Sequence, residues 1–219
     1  MEFIKEIIEI IIHIDRYLDL VIRSFGNWSY LLFFIIIFAE TGLVITPFLP
    51  GDSLLFALGA LGAIGSFNLL WLFIVLAGAA IIGDSVNYFL GKLFGQKIIL
   101  KGNYRFFKKE HIEKTHKFYE RHGGKAIILA RFVPIIRTFA PFVAGIGKMS
   151  YKYFFSYNVF GGLTWVPLFA FAGYFFGNID FVKHNFSIVI LAIIAISLAP
   201  VFIEALKARK ESRTKIESA

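Results

Sequence analysis

Five charged side chains lie inside strongly apolar stretches of the chain: Glu40, Asp52, Asp84, Arg131 and Arg137. At the centre of a bilayer, each would cost about 2.5–3.5 kcal/mol on an insertion scale. Five uncompensated charges would cost on the order of 12–17 kcal/mol, which rivals the whole stability of a domain, about 5–15 kcal/mol. We therefore expect these side chains to pair, to bind protons or to face water, and we treat them as candidates for a functional site.

The two arginines carry the chemistry of anion binding. A guanidinium group presents a planar fork of donors that matches phosphate or carboxylate oxygens. Arg131 and Arg137 would point about 120° apart in a straight helix, but Pro134 lies midway between them and interrupts the helix. The break lets both converge on one anionic ligand. The alternative for Arg131 is that its side chain extends to the interface beside Lys125.

The acids Glu40 and Asp52 are the candidates for proton exchange. Burial favours the neutral carboxyl group and a nearby arginine favours the carboxylate, so acids between these effects can load and release protons under a pH gradient. Two alternatives stay open: a static ion pair that joins two segments, and a helix N-cap formed by Asp52 after Pro50 and Gly51. For Asp84, which has Ser85 and Asn87 near it, the alternative is helix–helix hydrogen bonding.

The composition indicates a membrane protein. The chain has 219 residues, of which 58% are apolar and 17% charged, whereas soluble domains carry about 25% charged residues. The absence of Cys excludes disulfides, thiolate metal sites and a cysteine nucleophile. Its five histidines lie in polar or flanking segments, and no nucleophile pairs with a base. We therefore expect an all-α, multi-spanning membrane protein that is not an enzyme and needs no metal or cofactor.

Apolar runs and proline positions predict the elements that hold these residues. Long apolar runs with at most one charge predict membrane spans. Runs that contain Pro47, Pro50, Pro134 or Pro141 predict re-entrant hairpins, since non-helical backbone at membrane depth survives only inside protein or along a wet cavity. The predicted order is an amphipathic interfacial helix 1–24, hairpin 30–65, span 68–91, cytoplasmic loop or helix 92–125, hairpin 126–148, spans 151–177 and 185–206, and a basic tail 207–219.

The distribution of basic residues gives a topology. The net charge of +8 is concentrated around the apolar runs rather than on one soluble face, which argues against nucleic-acid binding. With the loop 92–125 in the cytoplasm, the two hairpins enter from opposite sides, and the unit hairpin, span, Gly-x-x-x-Gly occurs twice in inverted orientation. Such paired, broken segments point to a transporter's binding site. The glycines alone are also explained by close helix approach.

Three motifs occur in order and carry a resemblance to a known family. They are Glu40 with Pro50-Gly51-Asp52, Gly83-Asp84-x-x-x-Tyr88-x-x-Gly91, and Arg131-Phe-Val-Pro134-Ile-Ile-Arg137 with Pro141 and Ala144-Gly145. Together they resemble the DedA family of bacterial membrane proteins, part of the group named for the SNARE-associated Golgi protein domain. The resemblance covers about residues 25 to 205.

The resemblance implies opposed re-entrant hairpins in a protein of the bacterial cytoplasmic membrane. It also implies return of undecaprenyl phosphate to the cytoplasmic leaflet with dependence on the proton gradient. The family's essential acids match Glu40 and Asp52, and its essential arginines match Arg131 and Arg137. Many members have Glu where this chain has Asp52, so the length of that side chain departs from the common pattern.

The leading hypothesis is a flippase for a polyprenyl phosphate, with the lipid and protons as its partners. Alternatives are a general phospholipid scramblase and a proton-coupled small-ion antiporter. The fixed positive charges of the arginine pair argue against the antiporter. Two further alternatives are a membrane enzyme such as a lipid phosphatase and a scaffold whose charges are structural. The sequence is compatible with a homo-oligomer but does not establish one.

Overall fold

The computed structural model describes residues 24–43, 51–63, 68–101 and 109–179, together with residues 20, 22, 65, 182, 188, 189 and 192. The predicted helix 1–24 and span 185–206 lie almost entirely outside the described residues. The tail 207–219 and Pro50 lie wholly outside them.

All regular elements of the described residues are helices, which confirms the predicted all-α class. The helices are α1 (Trp28–Gly42), α2 (Gly51–Ala63), α3 (Leu69–Lys101), α4 (Lys109–His122), α5 (Ala126–Ala130), α6 (Pro134–Ile146) and α7 (Tyr151–Gly177), with a 3₁₀ turn at Gly123–Lys125.

Two of these helices are long and apolar enough to cross a membrane. The segments are Leu69–Gly95 of α3 and Tyr151–Gly177 of α7. In the most apolar stretch of each, 39% and 28% respectively is buried inside the protein. A core helix of a soluble protein would be mostly buried, whereas α7 leaves large side chains such as Phe160 and Phe175 well exposed. These exposed faces are suited to contact with lipid.

The span predicted at 68–91 is shorter than the helix that contains it. Helix α3 continues past Gly91 and Gly95 to Lys101. Glycine in a helix interior is unfavourable by about 1 kcal/mol relative to Ala, but both glycines contact α6, and that packing offsets the cost. The rest of the predicted segment 92–125 includes the surface helix α4.

Neither proline-containing stretch is one continuous helix. Helix α1 ends at Gly42 and α2 begins at Gly51, while α5 ends at Ala130 and α6 begins at Pro134. A proline at the first position of a helix costs nothing, because that N–H has no partner within the helix. Pro141 does not add a second break to the later stretch, since it lies inside α6.

The second arm of each broken stretch packs on the long helix of the other half of the chain. Helix α2 packs mainly against α7, and α6 packs mainly against α3. The first arms stay with their own long helices, α1 against α3 and α5 against α7. The two halves are therefore interlocked, and residues from both meet at the centre.

The two Gly-x-x-x-Gly motifs seat these exchanged arms in corresponding ways. A Cβ at any of the four glycines would overlap the facing helix. The facing pairs are Gly91 with the Phe142 carbonyl, Gly95 with the Ile146 side chain, Gly173 with the Phe56 carbonyl and Gly177 with Ala60. Because each contact advances four residues in both partners, α3 and α6 run in the same direction at their contact, as do α2 and α7.

Candidate functional site

Arg137 lies at the centre of the interlocked halves and is held by two carboxylates. Its Nη1 lies 2.7 Å from Asp52 Oδ1, and its Nη2 donates to Glu40 Oε1. The backbone N–H of Gly51 donates to the same Glu40 oxygen at 3.3 Å. Three helices thus meet at this ion pair, because Glu40 lies near the end of α1, Asp52 in the first turn of α2 and Arg137 in the first turn of α6.

Arg131 forms a separate group with partners from α3 and α7. Its Nη2 lies 2.7 Å from Asp84 Oδ2 and donates to Asn158 Oδ1 at 2.6 Å. The amide of Asn158 donates in turn to the Ile81 carbonyl at 2.9 Å and to Ser85 Oγ at 3.3 Å. The interhelical contact of Asp84 is therefore an ion pair to the residue that follows α5.

The indole ring of Trp165 lies between the two groups. Arg137 Cζ is 5.3 Å from the ring centroid and Arg131 Cζ is 5.8 Å from it, within the range of a cation–π interaction, about 6 Å. The Trp165 Nε1–H also donates to Asp52 Oδ1 at 2.9 Å. The two arginines therefore approach a common side chain, as the break near Pro134 predicted, but each is already paired with acids of its own.

The cluster is buried and its formal charges do not cancel. Glu40 is 1% exposed, Asp84 and Arg131 are each 3% exposed and Arg137 is 9% exposed, while the Asp52 side chain is 15% exposed. Three carboxylates face two guanidinium groups, which gives a formal charge of −1 when all are ionised. Since an unpaired charge in such surroundings is costly, the excess negative charge favours binding of one proton.

Several polar atoms of the cluster have no hydrogen-bond partner among the described residues. These atoms are Glu40 Oε2, Arg131 Nε and Arg137 Nε. Unsatisfied buried polar groups are rare and commonly mark a strained site or a missing ion or water. Their presence on three of the five charged side chains shows that each arginine retains donor capacity beyond its present ion pairs.

Asn87 ties the broken stretches to α3 just outside the cluster. Its side-chain amide donates to the Thr41 carbonyl at 3.1 Å and to the Thr138 carbonyl at 2.9 Å. Thr41 is next to Glu40, and Thr138 is next to Arg137. The amide therefore holds the backbone on which both members of that ion pair are carried.

A hydrogen bond from helix α4 also supports α6. The Tyr119 hydroxyl of α4 donates to the Ala140 carbonyl at 3.0 Å. Burial raises the pKa of Tyr119 above its ordinary value, so the hydroxyl stays a neutral donor.

The structure brings together the five charged residues singled out in the sequence. Gly51 and Pro134 lie where the helices that carry Asp52 and Arg137 begin, whereas Pro50 is outside the described residues. Sequence reasoning missed Asn158 and Trp165, which contact the cluster. Asn87 was expected near Asp84 as part of a helix–helix hydrogen bond, and it makes such bonds to the backbone of two other helices. The one available signal for Asn158 was that it is an amide inside an apolar run.

Metal ligation is not a feature of the described residues. Among them, no group of three or more His, Asp or Glu side chains is arranged to hold a metal ion. The contacts that the structure shows within the cluster are ion pairs and hydrogen bonds.

The fold and the cluster define a helical membrane protein with paired charges buried between two broken helical stretches. The chain belongs to the DedA family, since the VTT domain model matches residues 49–175 and the Escherichia coli K12 protein DedA is 50% identical over 212 residues, covering 96% of this chain and 97% of the relative. The E. coli K12 inner membrane proteins YghB and YqjA are 34% and 31% identical, each covering 71% of both chains. No solved structure matches the chain significantly.

Proposed function

We propose that this protein is a lipid transporter of the bacterial cytoplasmic membrane that moves an anionic polyprenyl phosphate, such as undecaprenyl phosphate, between leaflets. Two relatives are named as inner membrane proteins, which supports the location. The proposed driving force is the proton gradient, with Glu40 and Asp52 as the proton-exchanging acids. Arg131 and Arg137 are the proposed phosphate-binding residues.

The observation that carries the proposal is the double carboxylate pairing of Arg137. Glu40 and Asp52 offer this guanidinium oxygens of the kind that a phosphate group would offer. A phosphate can therefore replace a carboxylate on Arg137 without leaving the guanidinium unpaired. Protonation of one acid weakens its hold on Arg137 and makes that replacement favourable, and loss of the proton reverses it.

The charge of the cluster links phosphate binding to protons. With all five groups ionised the cluster carries a formal charge of −1, so one bound proton makes it neutral. A phosphate that enters brings further negative charge into a region where unpaired charge is costly. Uptake of a second proton by the acids restores neutrality when the phosphate is a monoanion, and a dianion requires a third proton. This charge balance is the physical basis for coupling transport to a pH gradient.

The lipid tail needs no enclosed path. Helix α7 exposes Phe160, Phe171, Phe175 and Phe176 on a helix that is long enough to span the bilayer. A polyprenyl chain can stay in the hydrocarbon region against such a surface while only its phosphate enters the protein. The energetic barrier to flipping lies in the headgroup, which the charged cluster is suited to accept.

A proton-coupled small-ion antiporter is the second candidate, favoured by the excess carboxylate. An acid-rich intramembrane site is common in ion pathways. However, the two guanidinium groups beside one ring centroid already neutralise two of the three carboxylates, which leaves at most one negative charge to attract a cation. This candidate predicts a cation-dependent proton flux and no movement of lipid.

The test uses purified full-length protein in liposomes that contain fluorescent polyprenyl phosphate, with an impermeant quencher to report leaflet exchange. Wild type should move the lipid, Arg137→Ala should not, and Glu40→Gln should lose the response to an imposed pH gradient. Arg121→Ala, which removes an exposed arginine from α4, is the matched control and should behave as wild type.

Parallel liposomes with fluorescent phosphatidylcholine distinguish the candidates. A general phospholipid scramblase moves both lipids without a gradient, whereas the proposed transporter prefers the phosphate. If the wild type and all variants are folded by size exclusion and yet behave like empty liposomes with either lipid, the proposed function is refuted.

A further inference from the structure

Trp165 contacts the charged cluster directly, which an ordinary apolar core residue would not do. It is fully buried in α7, donates its indole N–H to Asp52 Oδ1 at 2.9 Å and lies within cation–π range of both arginines. It therefore contacts three of the five charged side chains. The other two tryptophans, Trp28 and Trp71, are 71% and 60% exposed.

We propose that Trp165 is the positioning residue that sets how Asp52 exchanges protons, by holding its carboxylate on Arg137 through the indole N–H. An indole N–H can donate but cannot accept, so it bonds only to a lone pair of Asp52. Arg137 Nη1 and Trp165 Nε1 both donate to Oδ1 of that side chain. Donors from two different helices fix its orientation, and Oδ2 is left to take up the proton.

The orientation of the Asp52 carboxylate matters because of its exposure and its charged neighbours. Its side chain is the most exposed of the five, at 15%, so it is the acid best placed to exchange with water or a ligand. The charged groups of this region are Glu40 on α1, Arg137 on α6, Asp84 on α3 and Arg131 after α5, whereas α7 contributes the neutral Trp165. Without the indole bond, Asp52 would have only Arg137 to orient it.

The ring of Trp165 also connects the two arginine groups. A cation–π interaction lets an aromatic face stabilise a guanidinium without supplying a countercharge. Arg131 and Arg137 therefore share one neutral side chain while their carboxylates remain separate. A change at the Asp52–Arg137 pair that moves the ring is felt at Arg131.

The first test needs no transported lipid. Labelling the full-length protein with ¹⁵N-tryptophan gives one indole N–H resonance for each of its three tryptophans, and the Trp165 resonance is the one absent from Trp165→Phe. We expect this resonance to move with pH in wild type. In Asp52→Asn we expect it to start from a different position and to lose its main pH-dependent step. The exposed Trp28 and Trp71 should be unaffected in both proteins.

The second test measures transport and rests on the proposed function. Trp165→Phe keeps an aromatic face for the arginines but removes the donor to Asp52. Since a hydrogen bond to the ionised form favours that form, its loss should displace the pH profile of lipid transport toward higher pH by about one unit, a roughly 10-fold effect. Trp165→Leu should also lose the maximal rate, because it removes the ring.

The outcomes separate the two proposals. A Trp165 resonance that is the same in wild type and Asp52→Asn, or a Trp165→Phe rate lowered by one factor at every pH, overturns the positioning role. If the resonance responds to Asp52→Asn and to pH while no lipid moves, the positioning role stands and the lipid-transport function fails. Adding farnesyl phosphate, a short polyprenyl phosphate, should shift the resonance in wild type but not in Arg137→Ala.

Discussion

Removal of Arg137 should destabilise the protein far more than removal of one of its acids. Arg137→Ala leaves Glu40 and Asp52 buried without their cation and changes the formal charge of the cluster from −1 to −2. Breaking a buried pair in this way costs about 3–5 kcal/mol, because an uncompensated charge remains. For a chain of this size, that is a fall in Tm of about 6–20 °C.

Glu40→Gln acts in the opposite direction on charge. It brings the formal charge of the cluster to zero, and Arg137 keeps Asp52 as its partner. The glutamine carbonyl can still accept from Arg137 and from the Gly51 N–H, which bonds Glu40 in wild type. The expected fall in Tm is therefore less than half of that for Arg137→Ala.

The double variant Arg137→Ala/Glu40→Gln provides the internal control. Neutralising one of the two stranded acids should recover part of the lost stability, so the double variant should melt above Arg137→Ala although it carries one more substitution. Thermal unfolding in detergent, followed by near-ultraviolet circular dichroism, measures all three. A Tm for Arg137→Ala within about 2 °C of wild type, or a double variant that melts below it, would refute the assigned pairing.

Three further substitutions test the packing that supports the cluster, one of them as a control. Gly173→Ala places a methyl group against the Phe56 carbonyl and should lower stability by about 1–3 kcal/mol, whereas Gly78→Ala, with open space around it, should raise it by about 0.5–1 kcal/mol; opposite signs in thermal unfolding are the check. Tyr119→Phe removes the bond to the Ala140 carbonyl and should cost about 1 kcal/mol, measured the same way, with no change if α4 does not support α6.

The identity of the charged residues was predictable because of their scarcity. A charge in an apolar run is expensive, so each such position stands out in the sequence. The structure places Glu40, Asp52, Asp84, Arg131 and Arg137 in one buried cluster. Their roles in binding phosphate and exchanging protons stay predictions, since contacts between side chains do not establish a transported ligand.

An ion pair between segments was one of the alternatives, but which acid contacts which arginine was not predictable from the sequence. Arg137 contacts Asp52 across 85 positions, and Arg131 contacts Asn158 across 27. These contacts depend on α2 packing against α7 and α6 against α3, an exchange between the two halves that no local periodicity encodes. Trp165 was missed for a related reason: a tryptophan in an apolar span is an ordinary residue until the fold places it beside two arginines.

The exchange of arms between the halves explains how the charged cluster can be stable and, in the proposed function, still respond to a proton or an anion. Each arm is seated on glycines, where close backbone contact rather than deep side-chain interdigitation joins the helices. The Arg137 pair joins α1, α2 and α6, and the Arg131 pair joins α3 to the residue after α5. A proton or an anion that changes one pair therefore acts on contacts between halves rather than within one helix. In the proposed transport function, small shifts at such contacts would give the buried site access to one side of a membrane and then the other.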